Sequence, residues 1–233
     1  NGDISTSTSI TSLTGNDSNN TLIANGKGNT LNGGNGDDRL QQGSGNDTLV
    51  GGSGSDTADF SSSSNAINAD LSTGTATGDG NDKLKEIENL TGSSKNDTLT
   101  GDASNNALNG GAGNDELIGG AGNDTLNGGA GFDCAEYVSA KSNLTINLGD
   151  GKTNGSASGG TDVGTDVLIS IEEACGGSGN DKITGRSDTA SQLEGGAGND
   201  TLIGGAFDDT LIGGTGDDTL IGAAGNDSLN GEA

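Results

Sequence analysis

From Gly195 the chain reads GGAGNDTLI, then GGAFDDTLI from Gly204, GGTGDDTLI from Gly213 and GAAGNDSLN from Gly222 to Asn230. The same phrase occurs earlier as GGAGNDELI from Gly110, GGAGNDTLN from Gly119 and GGAGFDCAE from Gly128. The first third has GGNGDDRLQ from Gly33, QGSGNDTLV from Gln42 and GGSGSDTAD from Gly51. The consensus is G-G-x-G-x-D-x-U-x, with U aliphatic, in sixteen copies of varying quality. A fixed short period marks a repeat architecture.

Composition alone would suggest an unfolded chain. The 233 residues carry a formal charge of −25, with 27% hydrophobic and 2% aromatic residues. Such chains stay disordered unless something organises them. With 47 Gly and no Pro, collagen is excluded. Nine Lys+Arg against 34 Asp+Glu argue against a nucleic-acid partner. No apolar run approaches the ~20 residues that span a bilayer, and no cleavable signal peptide opens the chain at Asn1.

A longer period lies above the short one. FSSSSNAINADL (60–71) aligns with YVSAKSNLTINL (137–148), and NDKLKEIENLT (81–91) with TDVLISIEEAC (165–175). The chain therefore divides into a lead-in over 1–14, a unit with its spacer over 15–91, a second with a longer spacer over 92–175, and a third without spacer over 176–233. One continuous solenoid is expected.

GGxGxD is turn chemistry, and x-U-x is a very short strand. Alternation turns Leu202 inward and Thr201 and Ile203 outward. One aliphatic per nine residues cannot fill a globular core. It makes a thin core if two nonapeptides form one coil of about 18 residues and coils stack at ~4.8 Å. The predicted fold is all-β, a right-handed parallel β-roll roughly 55 Å long.

Stacking sets each position-six Asp above another, and rows of carboxylates at ~5 Å repel. A hard divalent cation removes the repulsion. Ca²⁺ takes six to eight oxygens from carboxylates and carbonyls. The carboxylate candidates are Asp38, Asp47, Asp56, Asp97, Asp115, Asp124, Asp133, Asp181, Asp200, Asp209, Asp218 and Asp227. Carbonyls are expected from Gly34, Gly36, Gly52 and Gly54, from Gly111, Gly113, Gly120 and Gly122, from Gly177 and Gly179, and from Gly196, Gly198, Gly214 and Gly216. Full pairs one coil apart are Asp38–Asp56, Asp97–Asp115, Asp115–Asp133, Asp181–Asp200, Asp200–Asp218 and Asp209–Asp227. Weaker mixed pairs are Asn20–Asp38, Asn29–Asp47 and Asn106–Asp124, and Ala190 falls opposite Asp209. The expectation is about six strong calcium sites and three weak ones.

The motif resembles the RTX, or hemolysin-type, calcium-binding repeat of bacterial secreted proteins. The spacers are similar too, with an aromatic (Phe60, Tyr137) after the last repeat and Ile87-Glu88-Asn89 before the next. The resemblance implies a calcium-filled β-solenoid, in a protein secreted through a type I system to the exterior or cell surface. It does not identify the parent protein's activity. A chain this acidic would be disordered without metal and fold on Ca²⁺ outside the cell. It ends at Glu232-Ala233 with no distinct cap, as expected of a fragment or processed product.

Other motifs dissolve into the repeat. G-x-G-x-x-G strings recur without a following helix, which removes dinucleotide binding. Asp37-Asp38 and Asp208-Asp209 are a ligand position and its neighbour, not an acid/base couple. With no His and no Ser or Cys beside a base, the chain reads as non-enzymatic; a monomer is expected. The alternative is an adhesin or surface-layer segment, or an ice- or glycan-binding module using a solenoid face on which Thr201, Thr210 and Thr219 would form an outward ladder.

Cys134 and Cys175 lie at the two ends of the second spacer, where the first has Thr57 and Thr91. The matched exchange suggests that these ends meet, and a disulfide is expected in an oxidising compartment. Closing about 40 residues would contribute roughly 4 kcal/mol. A spacer of two full coils would instead hold the cysteines ~10 Å apart as free thiols.

Overall fold

A computed structural model describes residues 3–5 and 11–232; residues 1, 2 and 6–10 of the expected lead-in, and Ala233, lie outside them. The described chain forms two sheets of 13 short strands each, wound into a β-solenoid of about 12 turns. Helix is confined, among the described residues, to Gly160–Val163. Within the repeats the chain crosses to the opposite sheet every nine residues, so residue i pairs in parallel with i+18: Thr30 with Thr48, Ala107 with Thr125, Thr201 with Thr219.

Alternation then dictates the core. Leu22, Leu40, Ala58, Leu90, Leu108 and Leu126 stack along one sheet. Leu31 and Leu49, and further along Leu99 and Leu117, stack along the other. All are buried, while their flanking residues stay partly exposed, except Asp59 beside Ala58, which is buried. The core is two side chains thick, and each layer is supported only by the coils above and below.

Each spacer prolongs the stack by folding back once within a single sheet. In the first, Asn68–Asp70 and Asn81–Lys85 flank the antiparallel strand Thr75–Thr77. In the second, Thr145–Asn147 and Gly164–Ile169 flank Gly155–Gly159 in the other sheet. Larger side chains fill these sections: Phe60, Ile67 and Ile87 in one, Tyr137, Leu144 and Ile171 in the other.

Two sequence expectations are corrected here. Thr201 and Thr219 stack on one sheet, but Thr210 lies on the other, between Gln192 and Ser228. Successive nonapeptides face opposite ways, so the three threonines form no common ladder. Cys134 and Cys175 are free thiols, not a disulfide. The spacer ends do meet, on the adjoining strands Cys134–Glu136 and Glu173–Cys175. The register sets Cys134 opposite Glu173 and Cys175 opposite Glu136. The cysteines are therefore diagonal neighbours on parallel strands; a two-residue offset at a rise of ~3.3 Å across a ~4.8 Å strand spacing puts their Cα atoms about 8 Å apart, beyond the ~7 Å limit of a bridge.

Removing one rung of the core tests this packing. Leu108→Ala is expected to destabilise the folded chain by about 2–5 kcal/mol, against within about 0.5 kcal/mol for the outward Thr125→Ser, both read by chemical denaturation.

Candidate metal centres

The turns between sheets place the position-six side chains in two rows along opposite edges of the solenoid. Each carboxylate uses Oδ1 to accept the backbone N–H of the position-six residue one coil earlier. Asp38 N–H donates to Asp56 Oδ1 at 2.8 Å, Asp97 to Asp115 at 2.8 Å, Asp115 to Asp133 at 2.9 Å and Asp200 to Asp218 at 2.9 Å. All six full pairs and the three mixed pairs adjoin in this way. The place opposite Asp209 is taken by Ser191, not Ala190: Ser191 N–H donates to Asp209 Oδ1 at 2.7 Å. The one-residue insertion in that repeat shifts the alignment by one.

The second oxygen separates the turns into two kinds. In one, the N–H four residues earlier turns inward and satisfies it. Asp47 Oδ2 accepts from Gly43 at 3.2 Å, Asp97 Oδ2 from Ser93 at 2.5 Å and Asp181 Oδ2 from Gly177 at 3.0 Å. In the other, Oδ2 of Asp38, Asp56, Asp115, Asp124, Asp133, Asp200, Asp209 and Asp218 is buried with no hydrogen-bond partner. Seven of these eight, all but Asp209, follow a left-handed glycine four residues earlier: Gly34, Gly52, Gly111, Gly120, Gly129, Gly196 and Gly214, with φ between 95° and 114°. At Asp227 that place is held by Ala223, also left-handed at φ 75°. The glycines also allow close stacking, since a Cβ on Gly111 would stand 2.5 Å from the Ser93 carbonyl oxygen. Of the remaining expected carbonyl donors, Gly36, Gly54, Gly113, Gly122, Gly198 and Gly216 are likewise left-handed, whereas Gly177 and Gly179 are not.

A buried carboxylate oxygen without a donor costs free energy unless a cation meets it. The donor set is all oxygen, the chemistry that suits calcium. Burial, opposed in part by the backbone N–H, pushes Asp56, Asp82, Asp115 and Asp124 up to about 6. Stacked charges add to the rise, as Asp133 and Asp97 do against Asp115.

Four acids in the spacers continue the rows and escaped the repeat alignment. Asp47 N–H donates to Asp82 Oδ1 at 2.7 Å and Asp124 N–H to Asp166 Oδ1 at 2.9 Å. Tyr137 O–H donates to Asp166 Oδ2 at 3.0 Å. Asp56 and Asp133 N–H groups donate to Glu88 and Glu172 Oε2 at 2.9 and 3.2 Å. The signal for the first two was the Asp-x-Leu of NDKL (81–84) and TDVL (165–168).

Comparison with known families agrees with this geometry. The model of the RTX calcium-binding nonapeptide repeat matches residues 14–41, 41–59, 86–117, 104–133, 176–189 and 194–229. These matches cover more than half of the chain and leave out most of both spacers. The chain belongs to the RTX calcium-binding repeat family, and it is a calcium-binding parallel β-roll. No curated protein matches it.

The raised carboxyl values fix a pH dependence. A carboxyl whose pKa rises on folding stabilises the metal-free fold below about 3.8 and loses that contribution as pH rises through about 6. In chelator, β-structure is expected to increase as pH falls from 7 towards 4. In calcium, apparent affinity is expected to fall as pH drops below about 6, because protons and the ion compete for the same oxygens. Circular dichroism across pH, with and without calcium, reads both.

Proposed function

We propose that this chain is the calcium-triggered structural segment of a secreted bacterial protein, exported unfolded by a type I system and folded by Ca²⁺ outside the cell. The observation that carries the reading is the row of buried Oδ2 atoms lacking any donor, in a chain of charge −25. Unliganded, those oxygens and their mutual repulsion oppose the fold; liganded, binding free energy becomes folding free energy. The strong sites lie at the turns of Asp38, Asp56, Asp115, Asp124, Asp133, Asp200 and Asp218, with carbonyls of the neighbouring turns completing each shell. Asp209 and Asp227 form a further turn pair. Asp47, Asp97 and Asp181, already satisfied by backbone N–H groups, contribute less. The three units act as one monomeric solenoid, and the segment performs no catalysis.

Excess chelator at neutral pH is expected to abolish the β-sheet circular dichroism, and millimolar calcium to restore it; a spectrum indifferent to both contradicts the proposal. Asp200→Asn is expected to raise the calcium midpoint of folding several-fold more than Asp181→Asn. Asp188→Ala is expected to do least, because Asp188 is exposed and pairs with Arg186 outside the carboxylate rows.

A further inference from the structure

One outward patch differs from the rest of the solenoid. On the strands Glu116–Ile118, Cys134–Glu136, Glu173–Cys175 and Gln192–Ala197, Cys134 lies between Glu116 and Glu173, and Cys175 lies between Glu136 and Glu194. The two sulfurs and a carboxylate oxygen of Glu173 are all within 4.8 Å of one another. Gln192 Nε2 donates to Glu173 Oε1 at 2.6 Å, which orients that carboxylate and leaves its second oxygen available.

The first spacer provides an internal comparison. Its strands Thr57–Asp59 and Asn89–Thr91 pair in the same register, Thr57 opposite Asn89 and Asp59 opposite Thr91. Thr57 and Thr91 stand where the second spacer has Cys134 and Cys175. On the preceding strand, Arg39 lies beside Thr57 and forms an ion pair with Asp59. The corresponding residue beside Cys134 is Glu116. The same backbone thus carries threonines and a neutralising arginine in one place, thiols and a further acid in the other. Among the described residues, no ion pair involves Glu116, Glu136, Glu173 or Glu194.

We infer that Cys134, Cys175 and Glu173 bind a borderline-soft divalent cation of the zinc class, with Glu136 or water in the fourth position. Thiolates suit zinc and not calcium, which takes oxygen. Tetrahedral Zn–S and Zn–O bonds of about 2.3 and 2.1 Å place ligand atoms roughly 3.5–4 Å apart, within reach of the observed cluster by small side-chain rotations. Binding converts two thiols to thiolates and releases two protons to solvent. The ion supplies the positive charge that Arg39 supplies in the first spacer, and it ties together the two ends of the second. The inference rests on strand register and is independent of calcium in the turns.

Cobalt(II) is the probe. The full chain is saturated with calcium, reduced with a phosphine and titrated with Co²⁺. One equivalent is expected to produce thiolate-to-cobalt charge transfer and the visible bands of tetrahedral cobalt. Equimolar Zn²⁺ abolishes both, and excess Ca²⁺ or Mg²⁺ does not. Cys134→Thr with Cys175→Thr, which reproduces the first spacer, is expected to keep calcium-induced β-structure and lose the bands. Glu173→Gln is expected to weaken cobalt binding about tenfold. The inference is overturned by folded, reduced protein without charge transfer, by bands that persist in the double threonine variant, or by sulfurs found joined as a disulfide before reduction.

Discussion

Like-charged side chains stacked at the strand spacing are the constraint on which the rest of this structure depends. A parallel solenoid repeats every position at ~4.8 Å, so an acid in the turn of one coil meets an acid in the next. One oxygen of each is used by the amide ladder along the edge, as between Asp97 and Asp115. The other, in the turns of Asp38, Asp56 or Asp115, meets no donor. A core of single leucines per strand has little reserve against that cost, because each layer touches only its neighbours. The charge must therefore be met by something outside the chain.

Glycine decides how each turn meets it. Where the residue four before the Asp is left-handed, the N–H does not reach Oδ2, as at Gly34 and Gly214. Where it is not, the N–H closes onto Oδ2 and the turn is self-contained at Asp47, Asp97 and Asp181, but not at Asp209, whose Oδ2 still meets no donor. The solenoid thus mixes turns that need a cation with turns that do not. The spacers keep the edges continuous by supplying Asp82, Glu88, Asp166 and Glu172 to the same rows.

Much of this was legible in the sequence because one physical rule, alternation within a nine-residue period, generates both the inward leucines and the 18-residue register. Leu202 and its stacking partner Leu220 follow from it directly. The family follows from the same motif. Less visible was anything that depends on backbone angle or on departures from the period. Gly43 and Gly34 are the same letter in the same repeat position, yet only Gly34 is left-handed. Asp82 and Asp166 lie outside any nonapeptide, and only their Asp-x-Leu pattern marks them. The cysteines were correctly placed at spacer ends that meet. Their two-residue stagger, which separates the Cα atoms too far for a bridge, is a property of strand register that spacing along the chain does not contain. The threonine ladder failed for the related reason that alternate nonapeptides belong to opposite sheets.

The central claim, that the orphaned carboxylate oxygens are calcium ligands, is tested most directly by anomalous diffraction from crystals grown in millimolar calcium. Difference peaks are expected beside Oδ2 of Asp38, Asp56, Asp115, Asp124, Asp133, Asp200 and Asp218, each with carbonyl oxygens of the adjoining turns in its shell. A well-ordered solenoid whose turns at those residues show no anomalous density would contradict the account.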